Sequence, residues 1–140
     1  MIKKFDKIKF EDYKNVYKYL FIENDINIIL LEGELGSGKT TFVQFIAKEL
    51  NIIQKVLSQT FSIINEYKSE SGMSVYHFDL FRLNSKNELL DLGFNEYLDS
   101  GNLCLIEWPE ICEEFLKERY IKIIFKINED LTRNLSVSIH

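Results

Sequence analysis

The stretch Ile26-Asn27-Ile28-Ile29-Leu30-Leu31-Glu32-Gly33-Glu34-Leu35-Gly36-Ser37-Gly38-Lys39-Thr40-Thr41 decides the fold. It reads as a short apolar strand over Ile26–Leu31, a glycine loop over Gly33–Gly38, and a helix that begins at Lys39. Helical spacing then runs through Phe42, Val43, Phe45, Ile46 and Ala47 to Leu50 and stops before Asn51. Residues 33–40 satisfy G-x-x-x-x-G-K-[ST] at every fixed position. At average residue usage, a chain of this length meets that pattern by chance about once in 200. A glycine connection that merely turned a strand into a helix would need neither Lys39 nor Thr40.

Phosphate chemistry accounts for each residue type. Glycines at Gly33, Gly36 and Gly38 let the backbone curl until successive N–H groups face one concavity. The N-terminus of the following helix adds its dipole to the same point. Lys39 is expected to reach the β- and γ-phosphates as a point charge, and Thr40 to place its hydroxyl on Mg²⁺. The implied ligands are therefore ATP and Mg²⁺. Guanine reading is not expected, since no N-K-x-D segment is present.

Outward from the loop, Asp12–Glu23 carries Val16, Tyr17, Tyr19, Leu20 and Phe21 at mostly helical spacing. Phe61–Tyr67 and Ser74–Asp79 read as the strands of a hairpin, with the polar Lys68–Gly72 between them. Ser85–Leu92 reads as a short helix with Ser85 as N-cap, Glu88 three residues on and Gly93 as stop. Leu103–Glu107 is a compact apolar strand, Glu110–Lys117 a helix, and Tyr120–Ile127 with Leu135–Ile139 a terminal antiparallel pair. The expected class is α/β: a P-loop NTPase-like, mostly parallel mixed sheet, flanked by helices and carrying antiparallel terminal strands.

A phosphate site of this kind takes a carboxylate from the carboxyl end of a neighbouring strand. Val75-Tyr76-His77-Phe78-Asp79 and Leu103-Cys104-Leu105-Ile106-Glu107 each end in an acid. One of Asp79 and Glu107 would serve the Mg²⁺ shell and the other would orient the attacking water; spacing alone leaves that choice open. His77 shares a strand face with Val75 and Asp79 and reads as structural. Trp108 reads either as core or as a lid over the pocket. Arg82 reads as a phosphate contact or a surface ion pair.

Composition sets the outer limits. The chain has 140 residues, of which 46% are hydrophobic and 28% charged, as one soluble globular domain over 1–140 would. Disorder, collagen-like repeats and coiled coil are excluded. The 17 basic and 22 acidic residues leave a net charge of −5, which argues against direct nucleic-acid binding. Cys104 and Cys112 form neither a disulfide framework nor a metal spacing, and read as small apolar residues of a reducing compartment. No signal-like or membrane-spanning apolar run is visible, so a cytoplasmic protein is expected.

Taken together, the motifs resemble the TsaE (YjeE) family, small bacterial P-loop ATPases of the tRNA threonylcarbamoyladenosine pathway. Gly33–Phe42 resembles that family's glycine loop, and Ser58-Gln59-Thr60-Phe61 with Glu66-Tyr67 its S-P-T-[FY]…E-Y segment. His77-Phe78-Asp79-Leu80-Phe81-Arg82-Leu83 resembles H-x-D-L-Y-R-L; Glu88, Leu92-Gly93 and Glu96-Tyr97 fit its helical segment; Ile106-Glu107-Trp108-Pro109 resembles I-E-W-[PS]. Gln59 stands in place of a proline, restoring an N–H, and Phe81 in place of a tyrosine, losing a hydroxyl.

The resemblance implies roles. Gly36, Ser37, Gly38, Lys39, Thr40 and Thr41 would cradle the phosphates. Thr40 and Glu107 would form the Mg²⁺ site, and Asp79 would be the acid closest to the γ-phosphate. Thr60 would lie in a switch loop, and Trp108 and Arg133 beside the nucleotide, with Arg133 in the turn before the last strand. The segment near Phe10 is expected to contribute to the adenine contacts. The implied partners are the TsaD and TsaB proteins, which the ATPase would drive or reset, and the free chain is expected to be a monomer. Two other readings use the same loop: a small-molecule kinase, and a nucleotide-gated binding module without turnover. Against the kinase, only Arg82, Arg119 and Arg133 are available as arginines, with little length for a lid.

Overall fold

The computed structural model describes residues 2–52 and 63–140. Seven strands and four α-helices follow one another along these residues: β1 (Ile2–Ile8), α1 (Tyr13–Phe21), β2 (Ile28–Glu32), α2 (Lys39–Glu49), β3 (Ile64–Lys68), β4 (Ser74–Asp79), α3 (Lys86–Asp91), α4 (Phe94–Asp99), β5 (Leu103–Glu107), β6 (Ile121–Ile127) and β7 (Arg133–Ile139). All seven strands join one sheet in the order β1-β7-β6-β2-β5-β4-β3. The central pairings β6·β2, β2·β5 and β5·β4 are parallel. The outer pairings β1·β7, β7·β6 and β4·β3 are antiparallel. The mixed sheet with a parallel centre and antiparallel terminal strands is the class expected from the sequence.

Why β2 and β5 sit in the middle follows from their composition. A strand covered by helices on both faces has no polar face to offer, so it reads as a continuous apolar run. In β2, Ile29 and Leu31 enter a core beneath α1 and α2, while Ile28 and Leu30 enter a second core beneath α3 and α4. In β5, Leu103 and Leu105 take the first side, and Cys104 and Ile106 the second. α1 contributes Val16 and Leu20 to the first core, and α2 contributes Phe42, Val43, Phe45 and Ile46. The second core holds Phe78, Leu89, Phe94, Leu98 and Cys112. Both cysteines are buried and free.

At four places the local structure departs from the sequence reading. Residues 110–117 do not form one helix: they fold as two single 3-10 turns, Pro109–Ile111 and Glu113–Phe115. Cys112 N–H and Phe115 N–H each donate three residues back, to Pro109 and Cys112. Glu113 is drawn toward Lys122 and Glu114 toward Lys86, on different elements, while Cys112 is buried between them. β1 was not foreseen, because an edge strand with three lysines lacks the apolar alternation that marks a half-buried strand. Arg133 opens β7 rather than preceding it. At α3, Ser85 caps as expected, accepting the Glu88 N–H at 3.3 Å, but the Glu88 carboxylate accepts from the Asn84 N–H rather than that of Ser85.

Candidate nucleotide site

The site stands at the carboxyl edge of the parallel strands, where open α/β sheets hold their ligands. β2 leads through Glu32 into the glycine loop and α2. β4 ends in Asp79 and β5 in Glu107, which are register partners across the parallel pair. Both acids therefore leave the sheet at one edge, facing the start of α2.

The loop's shape depends on its glycines. Gly36 and Gly38 have φ of +79° and +107°, a region that side chains disfavour. A Cβ on Gly38 would lie 3.2 Å from both Arg133 Nε and Tyr13 Oη. A Cβ on Gly33 would come within 2.6 Å of Ser37 Oγ and 2.9 Å of the Phe125 carbonyl, so the loop base needs a residue without one. Gly38 is the N-cap of α2, and no side chain caps it. The first-turn N–H groups of α2 thus have no intrahelical acceptor. An uncapped helix start, a left-handed glycine and a lysine make a cradle with the chemistry to take phosphate oxygens.

Lys39 is only 5% exposed. Its Nζ donates to the Gly33 carbonyl and sits 3.5 Å from the centroid of the Trp108 ring. Burial lowers its pKa from the ordinary lysine value; the charges of Glu107, Glu110, Asp79 and Glu32 act in the other direction. A cation held partly out of water in this way gains much from an anion beside it. Trp108 is itself held at φ +57°, and its ring also packs on Phe81 at 4.8 Å.

Glu107 is 3% exposed and bonded on both sides. Thr40 Oγ1 donates to Oε1 at 3.2 Å, and His77 Nε2 lies 2.6 Å from Oε2. Asp79 is half-buried and accepts the Phe81 N–H at 3.2 Å. The Thr40 hydroxyl and the Glu107 carboxylate form a hard-oxygen pair, the donor type that Mg²⁺ prefers. Arg133 Nε donates to the Ser37 carbonyl at 2.8 Å, tying β7 to the loop.

Nine of the expected residues line one cleft of ≈ 340 Å³: Gly36, Gly38, Lys39, Thr40, Thr41, Asp79, Glu107, Trp108 and Arg133. Gly33 and Ser37 stand behind it, meeting the cleft residues through their carbonyls. Thr60 lies outside the described residues. Next to the cleft, and sharing Gly38, Thr41 and Arg133 with it, is a hollow of ≈ 200 Å³ that also borders Phe10 and Tyr13. Sequence reasoning missed Tyr13, and it placed His77 on a strand face without its partner. A signal for His77 was present: a polar side chain on a buried strand face needs a hydrogen-bond partner, and Asp79 and Glu107 were the nearest acids in pattern.

Comparison with known proteins follows the same residues. The model of the family described as "Threonylcarbamoyl adenosine biosynthesis protein TsaE" matches residues 4–135. The tRNA threonylcarbamoyladenosine biosynthesis protein TsaE of Bacillus subtilis is 38% identical over 110 residues, covering 79% of this chain and 68% of that protein. The protein of the same description from Rickettsia typhi is 39% identical over 134 residues, covering 91% and 88%. The crystal structure of Bacillus subtilis YdiB is similar in fold, with a TM-score of 0.75 at 29% identity over 98% of this chain and 84% of that one.

Proposed function

The chain belongs to the TsaE family, and from that premise we propose that it is an ATPase of tRNA threonylcarbamoyladenosine-37 formation. It hydrolyses ATP to ADP and phosphate and uses that turnover to drive or reset a TsaB–TsaD assembly. The observation that carries this reading is the meeting of Lys39, Thr40 and Glu107 at an uncapped helix start, with Asp79 in register beside them. The reading treats residues 1–140 as one ATPase domain working in the cytoplasm; among the described residues no helix is long and apolar enough to cross a membrane.

Each residue has a step. Lys39 exchanges the Gly33 carbonyl for β- and γ-phosphate oxygens. The loop N–H groups of Gly36 to Thr41 hold the same oxygens and stabilise charge as it shifts toward the leaving group. Thr40 and Glu107 would hold Mg²⁺, which would supply positive charge against the phosphate oxygens. Asp79, at the open edge of the cleft, accepts a hydrogen bond from the attacking water and orients it in line. Phe10 and Tyr13, beside the adjoining hollow, supply apolar surface for the base. Arg133 holds the loop through the Ser37 carbonyl.

The test is phosphate release from ATP and Mg²⁺ without any added acceptor, with and without TsaB–TsaD. Lys39→Ala is expected to reduce release to about one hundredth or less. Turnover retained by that variant would remove the site assignment. Release that required a small-molecule acceptor would favour a kinase. Partner binding gated by a non-hydrolysable ATP analogue, with no release, would favour a nucleotide-gated module.

A further inference from the structure

His77 has no role in the site as described so far, yet its placement is specific. It sits on β4 two residues before Asp79 and on the same strand face, and is 3% exposed. Its Nε2 lies 2.6 Å from Glu107 Oε2. Glu107 Oε1 meanwhile faces the Thr40 hydroxyl. Nδ1 is buried and has no hydrogen-bond partner among the described residues. A bare lone pair in that position costs less than an unpaired N–H, so the ring carries its proton on Nε2 and donates it to the carboxylate. Tyr67 of β3 lies beside the imidazole, with ring centroids 6.4 Å apart.

We infer that His77 is a positioning residue for the cation site: its Nε2–H pins Glu107 Oε2 so that Oε1 is presented to Thr40 and to the metal. The inference rests on the ATPase reading. A glutamate side chain has three rotatable bonds, and its carboxylate turns to whichever partner it finds. With one oxygen fixed from β4, the other has one direction left. Hydrogen bonds of this kind from behind a metal-binding group commonly change metal affinity by about tenfold to a hundredfold. A purely structural histidine would instead satisfy a buried carboxylate and affect folding alone.

The experiment measures Mn²⁺ binding to the ADP-loaded chain by electron paramagnetic resonance, and ADP binding in excess EDTA by calorimetry. His77→Leu removes the donor and fills the space. His77→Asn keeps a polar side chain but places its amide nitrogen near the Nδ1 position, short of Glu107, and serves also if the leucine variant does not fold. His77→Gln places an amide N–H close to the Nε2 position. The expected result is Mn²⁺ affinity about tenfold or more weaker in the leucine and asparagine variants and restored to within a few-fold by glutamine. ADP affinity in EDTA should stay within about twofold throughout, since the phosphate cradle is untouched. The inference is overturned if the leucine or asparagine variant binds Mn²⁺ like the parent. It is equally overturned if metal and EDTA affinities fall together, or if glutamine behaves like leucine. A parent chain that binds no ADP would instead overturn the ATPase reading beneath it.

Discussion

Trp108 is the sole tryptophan of the chain, and its ring lies under the Lys39 ammonium. If Lys39 moves to phosphate on nucleotide binding, that cation–π contact is released and the indole's surroundings change. Addition of ADP and Mg²⁺ should therefore shift the intrinsic fluorescence, and in Lys39→Ala the shift should be lost or reversed; a spectrum indifferent to nucleotide would contradict this picture. The cysteines give a second prediction. Burial pushes the Cys104 and Cys112 thiols from the ordinary value of 9.0 up to about 12. Between those values the folded chain keeps protons that the unfolded chain has shed, so stability falls as pH rises above about 9. The loss is at most about 1.4 kcal/mol per pH unit for each thiol. Lys39, whose pKa is lowered, works in the opposite direction below its ordinary value of 10.5. Urea midpoints between pH 8 and pH 10 should thus fall less steeply in a Cys104→Ala, Cys112→Ala chain than in the parent. At this scale the sequence carried Lys39, Thr40, Asp79 and Glu107, because each stands at a fixed offset from a loop or strand end. For His77 the sequence showed the need for a partner but not the choice of Glu107, since periodicity gives a residue's face but not which strand lies beside it.

Helix starts carry the predictions at the scale of elements. α2 begins at a left-handed glycine crowded by Arg133 and Tyr13. Gly38→Ala meets both an unfavourable φ and two contacts at 3.2 Å. Its expected cost is about 1–2 kcal/mol of stability, together with loss of nucleotide binding as the cradle opens. Calorimetric melting and ADP titration would check the two halves separately. α3 offers a control away from the site. Ser85→Ala removes the cap on the Glu88 N–H and should cost about 1 kcal/mol while leaving ATP turnover intact. Elements with a clear pattern were legible to the residue: β4 and β5 span the residues that their apolar runs and terminal acids mark out. β1 was hidden by its charges, for it owes its place to pairing with β7 rather than to burial of its own side chains. Residues 110–117 had the composition of a helix but fold as two 3-10 turns, with Cys112 buried and Glu113 and Glu114 paired with different elements.

Over the whole molecule, acidic residues outnumber basic ones by 22 to 17. The chain alone should therefore hold tRNA weakly, with Kd above about 100 µM near physiological salt. Fluorescence anisotropy with labelled tRNA checks this, and saturable binding in the low micromolar range would reassign tRNA contact to this chain. The class of fold was legible because β2 and β5 are apolar on both faces and a glycine loop joins the first of them to a helix. The strand order was not, because β2 pairs with β5 and β6, neither of them its neighbour in sequence. The outer end of that order has a consequence for synthesis. Ile2 is paired with Ser138 and Phe5 with Leu135, so β1 meets its partner only once residues 133–139 have been made. Until then β1 is a strand without a sheet, and Lys3, Lys4 and Lys7 discourage other nascent chains from pairing with it. Completion of the sheet, and with it the seating of Arg133 against the loop, is thereby deferred until β7 is available.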